Sequence, residues 1–326
     1  MNKKKSILES NVLYTIVAII AGFLVGAIFL LIAGISPAVA YGKLFDSIFS
    51  KPKYLVWTLV YASPLIFTGL SVAFSFRTGV FNIGAEGQFV IGSLVACVLG
   101  IVLKLPPVLH ALVCLVAAAA AGCIWSLIVG VLKVKRGIHE VLSFIMFNWI
   151  AFYLSNYVVN LPGIHRESSE ATLDIAENAR LLLPEGIRKA LDCNAAHWGI
   201  LFAVIAAVVI WVIIEKTTLG YKLKAVGFNR NCAQYGGINA DGSVLTALGI
   251  SGLLSGLGGA VQVLGMAGRL SQFAGQEGTG GHFLLHAQVG LAEDENVTPG
   301  TRIPIGEEPE ELIDQLNVLR KFHKYF

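Results

Sequence analysis

The sequence predicts an all-α, polytopic helical membrane protein with about seven transmembrane helices visible, and three observations predict it. Of 326 residues, 55% are apolar and 14% charged, against about 25% charged in a soluble domain. Mean hydropathy is +0.71. Several apolar runs reach the roughly 20 residues a helix needs to cross a hydrocarbon core. A helix also satisfies its own backbone in lipid, whereas a barrel would show alternation over segments of about ten residues.

In chain order, the first span is 12–32, preceded by basic Lys3, Lys4 and Lys5. No small-residue cleavage site follows, so the N-terminus is read as uncleaved and cytoplasmic. Spans at 54–74, 89–103, 108–132, 141–160, 198–214 and 244–266 follow. Counting from an inner N-terminus, the cytoplasmic loops then hold Arg77, Lys133, Lys135, Arg136, Lys216, Lys222, Lys224 and Arg230, and the short outer turns Lys43, Lys51, Lys53 and Lys104. This is a modest inside bias of the expected sign. The net charge of +3 reflects that topology and gives no reason to expect nucleic acid. The cysteines, at 97, 114, 123, 193 and 232, fall mostly inside spans, which excludes a disulfide framework.

Two connections are large. The outer loop 161–197 is predicted to contain a short amphipathic helix near 181–191. The cytoplasmic loop 215–243 mixes basic and apolar residues around Gly236 and Gly237, with a short helix expected at about 227–235. Gly22 and Gly26, and Gly252 and Gly256 followed by Gly258 and Gly259, form small-residue faces that let helices approach closely. After residue 268 the character changes: a glycine-rich stretch, a short apolar run at 282–292, and a candidate amphipathic helix at 307–326. The chain therefore divides into a transmembrane domain, 1–268, and an atypical polar tail, 269–326.

No Gly-x4-Gly-Lys-Ser/Thr run is present, so ATP binding of that kind is not expected. His139-Glu140 starts like a zinc-protease helix, but Ser143 stands where the second His would be, and neither metal site nor catalytic residue is proposed. What remains is polarity inside apolar surroundings. Phe81-Asn82-Ile83-Gly84-Ala85-Glu86-Gly87-Gln88 sits between two spans, although a carboxylate at mid-bilayer costs roughly 2.5–3.5 kcal/mol. Arg77 beside it draws Glu86 towards the inner boundary. Glu140, Asn148 and Asn156 lie two turns apart on one helical face.

Three of these segments carry a resemblance. Residues 76–88 (Phe-Arg-Thr-Gly-Val-Phe-Asn-Ile-Gly-Ala-Glu-Gly-Gln), then Gly137-Ile138-His139-Glu140-Val141-Leu142 with Asn148, then 218–229 (Thr-Leu-Gly-Tyr-Lys-Leu-Lys-Ala-Val-Gly-Phe-Asn) with Tyr235-Gly236-Gly237-Ile238 occur in this order. Together they resemble permease subunits of bacterial nucleoside-type ABC importers, related to ribose-type and branched-chain amino acid permeases. His139 departs from the family's Asn. The resemblance covers about 1–268 and implies a plasma-membrane subunit that forms a translocation path with a second permease subunit. It implies an ABC ATPase subunit that binds the ATP, a substrate-binding lipoprotein, and no cofactor in this chain. Asn82, Glu86, Gln88, Glu140 and Asn148 are expected to line the path or brace its helices. Gly220, Ala225, Gly227, Asn229, Tyr235 and Gly236 are expected to couple to the ATPase.

The family continues beyond the 249–259 helix with further spans, so its fold is expected to be truncated here, with the tail read as a frameshift, an altered gene end or a fused fragment. Other readings are a ribose-type sugar importer, a secondary transporter or channel using Glu86 and Glu140 for proton coupling, and a non-transporting membrane scaffold.

Overall fold

A computed structural model describes residues 11–49, 51–167 and 169–271; the basic N-terminal residues and the apolar run and helix expected at 282–292 and 307–326 lie outside the described residues. The first span is α1 (Asn11–Ile32), and a tight turn at Gly34 leads into α2 (Pro37–Phe49). The pair is bent by 119°. Tyr41 folds α2 back by donating to the Phe23 carbonyl at 2.7 Å, and Gly26 faces the Tyr41 hydroxyl. α2 replaces what the sequence reads as an outer turn. Its 13 residues extend about 20 Å, too short to span, so a search for spans passes over it.

α3 (Pro52–Phe76) starts with Pro52 in its first turn, where a missing N–H costs nothing. It also carries Pro64 in its interior. Proline there leaves the carbonyl four residues back without its donor; the Ser63 hydroxyl supplies one to Val60 at 2.9 Å. Such repair is what allows proline inside a membrane helix.

α4 (Ala85–Val102) and α5 (Leu109–Arg136) follow. α5 ends at Gly137 in the left-handed conformation (φ 66°), which returns N–H groups to the last carbonyls. Lys133, Lys135 and Arg136 in its last turn complement the negative end of the helix dipole. α6 (Glu140–Val159) is capped by His139, whose ring nitrogen accepts from the Val141 N–H.

The long connection then holds one 3₁₀ turn, Glu177–Ala179, and the six-residue α7 (Glu185–Ala190), shorter than the predicted 181–191. It is tied down by backbone bonds rather than by helix: Ile175 to Gly268, Leu181 to Leu264 and Trp198 to Leu181, each 2.9 Å.

α8 (Gly199–Lys216), α9 (Thr218–Phe228), α10 (Arg230–Tyr235) and α11 (Ala240–Val261) complete the described chain, and α11 runs into a π-helical turn, Gln262–Ala267. Three side-chain caps punctuate this half: Thr217 accepts from Gly220, Asn229 from Cys232 and Asn239 from Gly242. Each satisfies a first-turn donor.

α11 is the centre of the bundle, packed on α3, α4 and α5. A Cβ at Gly252 would collide with the Gly122 carbonyl, at Gly256 with the Ala118 carbonyl, and at Gly259 with the Phe89 carbonyl. Gly92 and Gly122 answer from α4 and α5, so backbone meets backbone across three helices. Small residues are how bilayer helices gain dispersion contact, because lipid leaves no hydrophobic driving force between them. Gly22 has no atom within 4 Å of a would-be Cβ, so only Gly26 of the first glycine pair meets a neighbour. Among the described residues, six helices are long and apolar enough to cross a membrane, or up to seven if the bent α1–α2 pair is one span.

Candidate functional site

Two clusters hold the residues that the sequence singles out, and a cavity lies beyond them. The first cluster forms where the chain breaks between α3 and α4. Asn82 is fully buried. Its Oδ1 accepts from the Gly84 N–H at 3.0 Å, which holds the entry to α4. Asn82 and Gln88 exchange amide bonds at 3.2 and 3.1 Å. The Asn82 Nδ2 also donates to the Ser251 hydroxyl at 2.6 Å, and Ser251 donates onward to the Ser71 carbonyl at 2.8 Å. Ser255 of α11 donates to the Ala85 carbonyl.

The network locks the α3–α4 break onto the central helix. Both Asn82 and Gln88 are 0% exposed, so the structure places them as braces with no face on open space. Ser71, Ser251 and Ser255 are its unforeseen members. Serines in apolar helices are common, and only the fold brings these to Asn82.

Asn148 works from the other side. Its Oδ1 accepts from the Gly87 N–H at 2.9 Å and its Nδ2 donates to the Ile83 carbonyl at 3.1 Å. One amide of α6 therefore clamps the first turn of α4, and Gly87 is needed there, because a Cβ would lie 2.7 Å from the Asn148 oxygen. Glu86 lies half-buried in that same first turn, where a carboxylate suits the positive end of the helix. Glu140 is instead ion-paired with Lys133 across the α5–α6 turn. Glu140 and Asn148 share a face yet serve different neighbours.

The second cluster is the 215–243 loop. Gly220 lies so close to the Ile213 and Ile214 carbonyls that any side chain would collide, and this folds α9 back under the end of α8. Ala225 packs with Ile238 against buried Val226, Ala233 and Ala240. Gly227 sits against the Arg77 carbonyl, and Gly79 lies 3.5 Å from Gly227 when its own Cβ position is considered. The loop thus touches the chain five residues before Asn82. Asn229 caps α10, and Gly236 closes it with Gly237 in the left-handed conformation. Tyr235 is 95% exposed; with exposed Tyr221 and Phe228 it gives the loop an aromatic outer surface.

At the opposite end of the bundle a small, partly open cavity of about 90 Å³ lies between α4, α6 and the π-helical turn. Ser93, Ser155, Gln262 and Arg269 line it together with Phe89. None of these was singled out from the sequence, since each is a lone polar group in an apolar run. Nearby, His197 wedges against Gly265 and Gly199, and burial pushes its ring down to about 4, so it stays neutral.

The family model described as branched-chain amino acid transport system / permease component matches residues 54–287. A second model, glycyl radical enzyme YjjI-like, matches residues 267–326. The chain is 40% identical to the guanosine ABC transporter permease protein NupP of Bacillus subtilis over 256 residues, 78% of this chain and 73% of that protein. It is 32% identical to the nucleoside ABC transporter permease protein NupB of Lactococcus lactis over 260 residues, 78% and 71% of the two chains. It is 31% identical to the glucose ABC transporter permease protein TsgB13 of Haloferax volcanii over 263 residues, 78% and 68%. No solved structure matches. With the multi-pass helical bundle and a family match over more than two thirds of its length, the chain belongs to the permease-component family of branched-chain amino acid-type ABC transport systems.

Proposed function

We propose that this chain is the membrane-spanning permease subunit of an ATP-driven importer for nucleosides, working with an ABC ATPase subunit, a second permease subunit and a substrate-binding lipoprotein. Similarity to permeases named for guanosine and nucleosides supports the cargo: identity to NupP is 40%, against 31% to the glucose permease TsgB13 over a stretch of similar length. The N-terminus and the 215–243 loop lie on the cytoplasmic side in this reading, as the basic residues of that loop favour.

The observation that carries the mechanism is the seat of Gly227 on the Arg77–Gly79 turn. The chain has no phosphate-binding loop of its own, so energy must enter through contact. α10, with its exposed Tyr235, is the surface on which the ATPase docks. Its movement reaches the α3–α4 break through Gly227, and from there α4 and α11 through Asn82 and Ser251.

Proteoliposomes holding the whole importer test this. Uptake of labelled guanosine should require ATP and survive collapse of the proton gradient; dependence on the gradient would instead support a secondary transporter. Gly227→Val drives a side chain into the Arg77 carbonyl, at an overpacking cost of about 1–3 kcal/mol. It should lower uptake by about tenfold while ATP hydrolysis and membrane insertion persist. Unchanged uptake would sink the coupling route.

The tail is a separate matter. We also propose that residues beyond the permease match are a fused segment from another protein, as the glycyl radical enzyme match over 267–326 supports. Resequencing the 3′ end of the gene decides between a fusion and a reading-frame error.

A further inference from the structure

We propose that α2 lies flat in one surface of the bilayer, and that its partner is the phospholipid headgroup layer rather than another protein. The proposal goes beyond the importer reading and holds whatever the cargo is. Its first support is backbone. Residues 33–36, between α1 and α2, are non-helical and exposed. At the far end Lys51 is exposed and extended (φ −136°, ψ 139°) before Pro52, and its side chain caps no N–H of α3. Exposed non-helical backbone finds no partner in hydrocarbon, so both breaks belong at the water boundary. The 13 residues of α2 cover about 20 Å, short of the roughly 30 Å that separates the two boundaries. Both ends therefore lie at the same surface, and the helix runs along it.

The side chains agree. Successive residues turn by about 100°, which divides α2 into three strips. Pro37, Ala40 and Tyr41 are its least exposed described residues. They face the protein, where the Tyr41 ring meets Phe23 edge-on at 5.2 Å. Phe45 and Phe49, one turn apart, form a second strip and are 52% and 68% exposed. Lys43 and Asp46 form a third, also exposed, with Val39 beside them. Protein on one side, apolar rings on the next and charges on the third suit a helix lying against a bundle, with lipid below and water above.

α3 marks the level independently. Its first turns carry Lys53, Tyr54, Trp57 and Tyr61. The Lys53 ammonium lies 5.6 Å from the Tyr54 ring centre, and Trp57 stacks on Tyr61 at 5.7 Å. Tyr and Trp gather at the headgroup level of spanning helices, and α3 begins three residues after α2 ends. Lys43, Lys51 and Lys53 add positive charge that suits anionic headgroups. The angle fits as well. The 119° bend passes a right angle by about 29°. Spanning helices tilt by about 0–40°, and an α1 tilted by that amount brings α2 level.

The test uses the full chain within its importer, reconstituted in vesicles that contain anionic phospholipid. Cys232, the exposed native thiol, is first removed as Cys232→Ser. Phe45→Cys, Phe49→Cys, Lys43→Cys and Asp46→Cys then each receive a nitroxide label, one at a time. All four positions are exposed, so a label displaces no packed side chain. Collisions with oxygen report lipid around the label, and collisions with a nickel chelate report water. The oxygen-to-nickel ratio should be high at residues 45 and 49 and shift to low at 43 and 46. Frequent nickel collisions at all four would place α2 in water and overturn the proposal. Few collisions of either kind at all four would mean that a protein covers the helix, which overturns the lipid assignment in favour of a partner subunit. A high ratio at all four, without contrast, would put α2 inside the hydrocarbon and overturn its place at the surface.

Discussion

Asn82 shows how much one side chain holds. It caps the entry to α4, pairs its amide with Gln88 and reaches Ser251 on the central helix. Asn82→Leu leaves the Gln88 amide buried without its partner, at a cost of about 1–3 kcal/mol. The unfolding midpoint of the detergent-solubilised chain should fall accordingly. Asn82→Leu combined with Gln88→Leu should lose less than the two single losses summed, because the second change removes the orphan the first created. Additive losses would mean that the pair is not a unit. From the sequence, Asn82 and Gln88 are legible as polar groups that lipid will not tolerate. Their role as braces is not, since it depends on Ser71 and Ser251, which lie 180 residues apart.

Among elements, α11 is the one the others are built on, and its glycines explain why. At Gly256 a methyl group would enter the Ala118 carbonyl, so Gly256→Ala should force α11 off α5 and destabilise the bundle by about 1–3 kcal/mol. Gly22→Ala on α1 meets nothing within 4 Å and should leave the midpoint unchanged. Thermal unfolding of the two variants side by side checks the contrast; equal effects would show that helix propensity rather than packing governs both. The motif x3-spaced glycines announce packing in both helices, yet only the structure separates the pair that packs from the one that largely does not. α2 marks the opposite limit. A 13-residue helix too short to span carries no hydropathy signal, and it forms because Tyr41 and Gly26 fit together.

For the whole molecule, orientation decides which face meets the ATPase and which meets the incoming solute. Cys232 on α10 is the exposed thiol among the described cysteines; Cys97, Cys114 and Cys193 are buried and Cys123 is intermediate. A membrane-impermeant maleimide should therefore label Cys232 in inside-out vesicles and spare it in right-side-out ones. The reverse pattern would invert the topology.

The sequence alone determined the class of molecule. Apolar runs of span length, the polar break at 81–88 and the ordered motifs up to Ile238 are local patterns, and the bilayer leaves helices few alternatives once such runs exist. The predicted spans at 54–74, 108–132 and 141–160 fall within or against α3, α5 and α6 for that reason. Tertiary structure decided what those polar residues do. Asn82, Gln88 and Asn148 brace helices, Glu140 holds Lys133, Gly227 joins the loop to the α3–α4 turn, and the cavity draws its walls from α4, α6 and the π-turn. Hydrogen bonds and close backbone approaches between distant segments have no period along the chain, so folding had to bring them together before their purpose was readable.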